Sequence, residues 1–405
     1  MRILISAGEV SGDMVAARVA ERLLARDASL RLFGLGGPRM AAVGVEVDLA
    51  ARQLGTVGVS EALTAAPSLV GVLRRLRHRF RTEKPDVALL VGNDAFNTFF
   101  ARWLRGRGVP TVSLFPPQVW VWRAVATYVA HSFDLVLTSF PEEQEVYERA
   151  SAGTNARAEF VGHYLAEVLA PPTRGEVAES RARLGLEPST RTVGLLPGSR
   201  IHEVRRLTGP LLDAAHALLA RDPSVQFVIP PASPELRGHV EGEVRRRALS
   251  SRVAFTDDSL TAMRAADVLL LASGTASLEA TLLGIPMVVA YVVSPVTSLT
   301  LRTAIRLRLI RGETVALPNL IIGREVVPEL RQAQVSGAAF TREAWPLLSE
   351  PLRAETMRRA LAGVAEKLSF PGTLERVVGA ILTLGGATRD ASDSQTRAAT
   401  GREGR

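Results

Sequence analysis

Short blocks of Val, Leu and Ile alternate along the chain with longer stretches whose apolar residues recur every three or four positions. That alternation predicts parallel sheets with crossover helices, an α/β class. Residues 2–6, 31–35, 87–91, 110–114 and 134–138 read as strands of a first domain, with Val15 to Leu24 spaced as a helix packed on the sheet. Glu159-Phe160-Val161-Gly162-His163 reads as a final strand and exit loop. A second set of strands falls at 192–196, 226–230, 252–255, 267–271 and 286–290. Between the sets, 171–190 reads as a linker, punctuated by Pro171, Pro172, Gly175 and Pro188. The expected organisation is therefore a first domain over 1–170, that linker, a second domain over 191–345 and terminal helices within 346–385, at 350–368 and from Leu374 to Leu384. Residues 386–405 are polar and small, and read as a disordered tail. No internal repeat of fixed period is present, although two similar α/β halves fit the pattern.

The 405 residues suffice for two ordinary α/β cores, and 47% hydrophobic with 22% charged residues is a globular composition. The chain has no cysteine, which excludes disulfides, thiol catalysis and Cys-ligated metals and fits a reducing compartment. The opening Met1 to Glu9 turns acidic after a short apolar run, so it reads as a first strand and not as a signal peptide. No apolar run reaches 18 residues, so no transmembrane helix is expected. The net charge of +8 is carried mostly by arginine. It suits nucleic acid, an anionic membrane surface or phosphorylated substrates. With 5% aromatic residues and no nucleic-acid motif, the last two are the better partners.

Two turns carry the clearest chemistry. Leu195-Leu196-Pro197-Gly198-Ser199-Arg200 ends one apolar strand, and Ser273-Gly274-Thr275-Ala276-Ser277-Leu278-Glu279 ends another. Strand, small-residue turn and helix start place backbone N–H groups around an anion. Arg200 adds a positive fork suited to a diphosphate, and Glu279 stands one helical turn in, where a carboxylate can grip a ribose. Either turn alone is also an ordinary βα loop; the pair favours a nucleotide diphosphate at the carboxyl ends of parallel strands.

In the first domain, Ala7-Gly8-Glu9-Val10-Ser11-Gly12-Asp13 follows the first strand, with Ser11 or Asp13 able to cap the next helix. Glu9 would repel phosphate but can accept a sugar hydroxyl. Asp94, in Val91-Gly92-Asn93-Asp94-Ala95-Phe96-Asn97, stands at the end of strand 87–91. It reads either as a general base for an attacking hydroxyl or as a helix cap. Phe115-Pro116-Pro117-Gln118-Val119-Trp120-Val121-Trp122-Arg123 joins two tryptophans to two stiffening prolines. Trp120 and Trp122 can pack on sugar rings or acyl chains, or in the core, and Arg123 can reach a phosphate. The histidines, His78, His131, His163, His202, His216 and His239, show no ligand spacing. His163 can touch substrate from its exit loop, and His202 lies just past Arg200.

Read in order, these segments resemble the lipid-A-disaccharide synthase family. The matching residues are Ala7-Gly8-Glu9 with Ser11-Gly12-Asp13, Gly36 to Met40, Val57-Gly58-Val59 with Glu61, Lys84 to Val87, Val119-Trp120 with Trp122-Arg123, and Phe160 to His163. They continue through Leu195 to Arg200, Ala272 to Ala276, Leu278-Glu279, Pro286 to Val289, Leu317 to Leu320 and Gly323-Arg324-Glu325. The resemblance implies a GT-B glycosyltransferase: two Rossmann-like domains of parallel sheet flanked by helices, facing a central cleft. It implies an inverting, cofactor-free transfer of diacylglucosamine from its UDP donor to 2,3-diacylglucosamine 1-phosphate (lipid X), with UDP released. By the same matching Asp94 is the catalytic aspartate and Arg200 the essential arginine, with Glu9 beside them. Ser199, Ser273, Gly274, Thr275, Glu279 and Asn319 then belong to the nucleotide side. The family also implies a cytoplasmic protein held peripherally on the inner membrane, and a homodimer that exchanges C-terminal segments. The chain departs from the family pattern after Asp94, where a Pro and an Asp are missing, so Asp94 aligns with either aspartate of that pattern. Pro116 and Gln118 also replace small polar residues that flank Pro117 in the family, which bears on acceptor and acyl-chain preference.

The chain has no Asp-x-Asp, the usual support for a donor-bound divalent metal, so Arg200 and helix ends are expected to supply the positive charge. Ala62 to Phe80 and residues 293–311 mix apolar and arginine positions in a way that suits a lipid interface, or a core helix with a basic edge. The competing functions are a GT-B transferase with another lipid acceptor, a UDP-sugar epimerase and a non-catalytic nucleotide-sugar-binding protein at a membrane.

Overall fold

The computed structural model describes residues 1–8, 10–50, 79–80, 83–92, 94–117, 125–231, 234–293 and 314–400. They form two units, Met1–Glu167 with Phe370–Arg405, and Val168–Ser369.

The first unit is built on β1 (Arg2–Ala7), β2 (Arg31–Gly36), β3 (Glu46–Ala50), β4 (Val87–Val91), β5 (Thr111–Leu114), β6 (Leu135–Thr138) and β7 (Arg157–Phe160). Their order in the sheet is β3-β2-β1-β4-β5-β6-β7, and every neighbouring pair is parallel. Ile3 registers with Leu32 on one side and Val87 on the other. β4 reads Val-Ala-Leu-Leu-Val with every residue buried, because helices cover both faces and leave no position for polar alternation.

The second unit contains β8 (Thr192–Leu196), β9 (Gln226–Ile229), β10 (Val253–Phe255), β11 (Val268–Ala272), β12 (Met287–Tyr291) and β13 (Glu329–Arg331). The order is β10-β9-β8-β11-β12-β13, again wholly parallel. In each sheet the strand order reverses direction once, between β1 and β4 and between β8 and β11. In open α/β sheets the crevice outside the carboxyl ends at such a reversal is where ligands bind.

Several boundaries differ from the sequence expectation, each for a physical reason. The stretch 171–190 is no free linker. Thr173 and Glu176 form a reciprocal capping box that opens the helix Arg174–Arg183. Arg181, 7% exposed, then donates from Nε to the Ala265 carbonyl at 3.0 Å and from Nη2 to Asp267 at 2.9 Å, tying this helix into the second unit. The C-terminal helices also divide. Pro351–Leu368 belongs to the second unit, whereas Thr373–Thr400 belongs to the first. There Val377, Val378 and Ile381 are fully buried and Glu375 pairs with Arg22 at 2.6 Å. That helix runs to Thr400, through most of the segment read as a disordered tail. Ala, Arg and Gln without Pro retain helix propensity whatever the polarity of the segment. β3 and β13 escaped the sequence reading because both are short edge strands carrying charge, Glu46 and Asp48 in one, Glu329 and Arg331 in the other. Among the described residues no helix is long and apolar enough to cross a membrane.

Candidate functional site

The second unit places its two predicted turns on adjacent strands at the point of reversal. Leu196 pairs with Leu271, so the turn after β8 and the turn after β11 leave the same edge side by side. Arg200 is the N-cap of the long helix Ile201–Arg221 and is exposed, with an extended backbone. Gly198 has φ +107, a conformation that side chains rarely adopt, and a Cβ there would lie 2.5 Å from Glu203 Oε2. Glu203, at the third position of the helix, accepts the N–H groups of Ser199 and Arg200 at 3.3 Å each, and its other oxygen accepts Arg200 Nη1 at 3.2 Å. The predicted backbone donors of this turn therefore already face a carboxylate.

Gly274 caps the helix Thr275–Leu282 with φ +156, in open space. Thr275 is exposed, Ser273 and Glu279 half-buried. The Ser273 N–H is not free for an anion, since it donates to Ala290 O at 2.8 Å in the strand ladder. The donors left by the helix start are those of Thr275 and Ala276, which have no carbonyl a turn earlier. The Ser273 hydroxyl donates to Val315 O at 2.9 Å.

Val315 leads into the Asn319 cluster. Asn319, 2% exposed, donates to Val327 O and Glu329 Oε1 at 2.8 Å, and its Oδ1 accepts the N–H groups of Val326 and Val327 at 2.7 and 3.0 Å. Glu329 also accepts the N–H groups of Val315 and Ala316. In this arrangement the Asn319 amide is fully occupied by the chain itself. It shapes the segment beside Ser273 and has no bond left over for a nucleotide. Tyr291, at the end of β12, follows the residue whose carbonyl holds the Ser273 N–H. Burial pushes its hydroxyl above the ordinary tyrosine range, with Arg200 and Glu203 acting on it in opposite directions. The sequence reading missed Glu203, Tyr291 and Glu329; the aromatic residue closing an apolar strand was the one available signal.

In the first unit the turns after β1 and β4 likewise flank the reversal. Asp94 is the first residue of the helix Asp94–Arg105, at the carboxyl end of β4. Asn97 fixes that turn: its Nδ2 donates to Gly92 O at 2.6 Å and to Val91 O at 3.2 Å, while its Oδ1 accepts the Ser6 hydroxyl at 2.7 Å. Ser11 and Asp13 do not cap the first helix, which starts at Val10 and contains both. Asp13 instead accepts the N–H groups of Gly37, Arg39 and Met40, capping the neighbouring helix Pro38–Ala42.

After β5, Phe115 takes a left-handed φ of 56° and lays its ring 5.0 Å from that of His163. Tyr147, fully buried, donates its hydroxyl to Pro117 O at 2.7 Å. These contacts fix the start of the proline–tryptophan loop. His163 is 7% exposed, and burial lowers its pKa to about 3, so it is neutral near pH 7 and packs in the core. Glu9, Trp120, Trp122, Arg123, Val57 to Glu61, most of 62–80 and 294–311 lie outside the described residues, as do the side-chain surroundings of Asp94. Among the described residues no three His, Asp or Glu side chains cluster as a metal site.

Solved structures share this architecture. UDP-GlcNAc 2-epimerase from Neisseria meningitidis bound to UDP-GlcNAc aligns with TM-score 0.63 at 14% identity, covering 95% of this chain and 100% of that one. The glycotransferase of kitacinnamycin aligns with TM-score 0.60 at 18% identity, covering 95% and 98%. At such identities the likeness concerns the fold alone, which is of the GT-B class. Sequence comparison goes further. Lipid-A-disaccharide synthase of Geobacter sulfurreducens is 37% identical, covering 95% of this chain and 97% of that protein. That of Geobacter metallireducens is 35% identical over 96% and 98%. The sequence model described as lipid-A-disaccharide synthetase matches residues 3–371, which takes in both sheets and every turn described above. With that span and those relatives, the chain belongs to the lipid-A-disaccharide synthase family.

Proposed function

We propose that this chain joins 2,3-diacylglucosamine from its UDP donor to 2,3-diacylglucosamine 1-phosphate, giving lipid A disaccharide 1-phosphate and UDP. Family membership over residues 3–371 is the observation that carries this reading. The reaction is a direct displacement with inversion at the sugar C1. The acceptor hydroxyl oxygen bonds to C1 as the bond from C1 to the phosphate oxygen breaks, and Asp94 takes the hydroxyl proton. Negative charge collects on the departing diphosphate, where the Arg200 guanidinium and the helix-start N–H groups of Thr275 and Ala276 stabilise it. Preorganised donors of this kind act where charge develops, and losing one costs about 10²–10³-fold in rate. Ser199, Ser273, Gly274 and Glu279 shape the nucleotide side. Glu9, Trp120, Trp122 and Arg123 are assigned to the acceptor side, with the tryptophans against sugar or acyl chains.

The substrates are lipids, so the protein works at the cytoplasmic face of the inner membrane as a peripheral protein. Its net charge of +8 supports attraction to anionic headgroups. Exposed Phe99 and Tyr128, the latter beneath the Arg102 guanidinium at 5.2 Å, support apolar contact in the first unit, and the apolar and arginine pattern of 62–80 and 293–311 in the sequence supports the same reading. A homodimer with exchanged C-terminal segments is part of the same proposal, tested by light scattering.

The decisive assay supplies UDP-2,3-diacylglucosamine and lipid X to purified protein. Disaccharide and UDP in equal amounts support the reading, with Asp94→Asn and Arg200→Ala each lowering kcat by at least about 10²-fold. Binding of UDP without turnover refutes it. Failure to float with anionic liposomes at low salt refutes the membrane part.

A further inference from the structure

Glu203 lies over the donors of the turn after β8. Its two oxygens gather three donors, the N–H groups of Ser199 and Arg200 and the Arg200 guanidinium, at 3.2–3.3 Å. Each contact is long for a charge-assisted bond, which ordinarily closes to about 2.7–2.9 Å. The carboxylate is thus spread over three donors and held tightly by none. It also lies directly against Gly198, whose missing side chain leaves it room.

A helix-capping role alone accounts for the reach back to the Arg200 N–H. It does not account for the second N–H or for the ion pair with Arg200. The proposed diphosphate site draws on the same turn; the Ser199 and Arg200 N–H groups cannot serve two anions at once, and the Arg200 guanidinium would have to divide its donors between them. The Glu203 head can swing aside about its own side-chain torsions without moving the helix, but its charge then stays beside the incoming phosphate.

We propose that Glu203 is a resident competitor for the diphosphate cradle, a positioning residue that holds Arg200 until nucleotide binds and sets nucleotide affinity below what the cradle alone would give. Its role is to favour release of the nucleoside diphosphate product. The proposal rests on the reading of Arg200 and its turn as the diphosphate site.

The test is titration calorimetry with UDP and with uridine on wild type, Arg200→Ala, Glu203→Gln and Glu203→Ala. Glutamine keeps the length and one accepting oxygen but removes the charge. Glu203→Gln is expected to bind UDP roughly three- to tenfold more tightly, the scale of one partly screened like-charge contact, with uridine affinity unchanged. Glu203→Ala is expected to shift UDP in the same direction, its thermal midpoint showing whether the cap is needed for folding. Unchanged or weaker UDP binding by both variants, at native midpoints, overturns the competitor role. If Arg200→Ala weakens UDP while neither Glu203 variant tightens it, the cradle stands and this proposal alone fails. If Arg200→Ala leaves UDP affinity unchanged, the site reading fails and the proposal falls with it.

Discussion

The buried His163 makes the stability of the first unit depend on pH above the range of the carboxylates. Its pKa is lowered to about 3 by burial, against an ordinary value of 6.5. Between those values the unfolded chain binds a proton that the folded chain does not. Stability contributed by the neutral ring is therefore complete above the unfolded pKa and is lost as pH falls below 6.5. From pH 7.5 to 5.5 the loss is about 1.4 kcal/mol. For a unit of this size that lowers Tm by roughly 3–5 °C. Asp27, Glu176, Asp222, Glu243 and Asp258 also have lowered pKa values, but they lose their contribution in the carboxylate range, below this window. The control is His163→Asn, whose side-chain oxygen can replace Nδ1 as acceptor for the Leu165 N–H, 3.3 Å away in the native protein. Asparagine leaves a void and a fixed cost, so slopes are compared and not absolute midpoints. Calorimetric melts across the window should show the wild type falling more steeply than the variant by the amount above. Parallel slopes would refute the argument, and would mean that the ring takes up its proton in the fold as readily as in the unfolded chain.

Gly274→Ala should lower the midpoint of the second unit by a cost of about 1–3 kcal/mol, purely conformational, because a Cβ at φ +156 meets no atom within 4 Å. Gly363→Ala, equally open but inside the helix Pro351–Leu368, should instead stabilise by about 0.5–1 kcal/mol in the same melts. Arg181→Met should destabilise the second unit by about 2–3 kcal/mol in urea unfolding, since it strips buried bonds to Ala265 and Pro188 and the pair with Asp267. Half-exposed Asp267 keeps the Thr192 N–H and some water, which holds the loss below that of a fully buried pair. On the proposed function Arg200 and helix-start N–H groups supply the positive charge, so turnover should survive EDTA; abolition by EDTA with restoration by magnesium would contradict this.

What the sequence made legible follows burial. Interior strands such as β4 and β11 are apolar throughout because both faces are covered, and their ends can be read where a glycine turn interrupts the run. The edge strands β3 and β13 carry charge and gave no such contrast. The helix Arg174–Arg183 hid behind prolines that mark only its surroundings, while Thr173 and Glu176, the residues that start it, look like ordinary polar positions. At the site, Arg200 and Gly274 were legible as members of turns. Glu203 was not, because its role depends on the helix bringing its third residue back over the turn. Asn319 was read through the family pattern as a nucleotide contact, yet its four bonds to Val326, Val327 and Glu329 make it a strut for the segment that holds Ser273. Pairings across 7 to 42 residues cannot be read from local spacing.

The two units use one device with opposite charge. Each sheet reverses its strand order once and sends two small-residue turns from the strands on either side, so each offers a crevice edged by helix starts. In the second unit those turns carry Arg200, Ser199, Ser273 and Thr275, with a carboxylate, Glu203, folded onto the donors in place of an anion. In the first unit the corresponding turns carry Glu9 and Asp94. Helix starts favour any anion, so geometry alone does not decide which crevice takes the diphosphate. The side chains do. Two acids beside a first-unit diphosphate would oppose it, whereas the same acids suit a neutral sugar hydroxyl that must lose a proton. On the proposed function, the division of labour between nucleotide and acceptor is set by a few charged residues placed on a shared backbone plan.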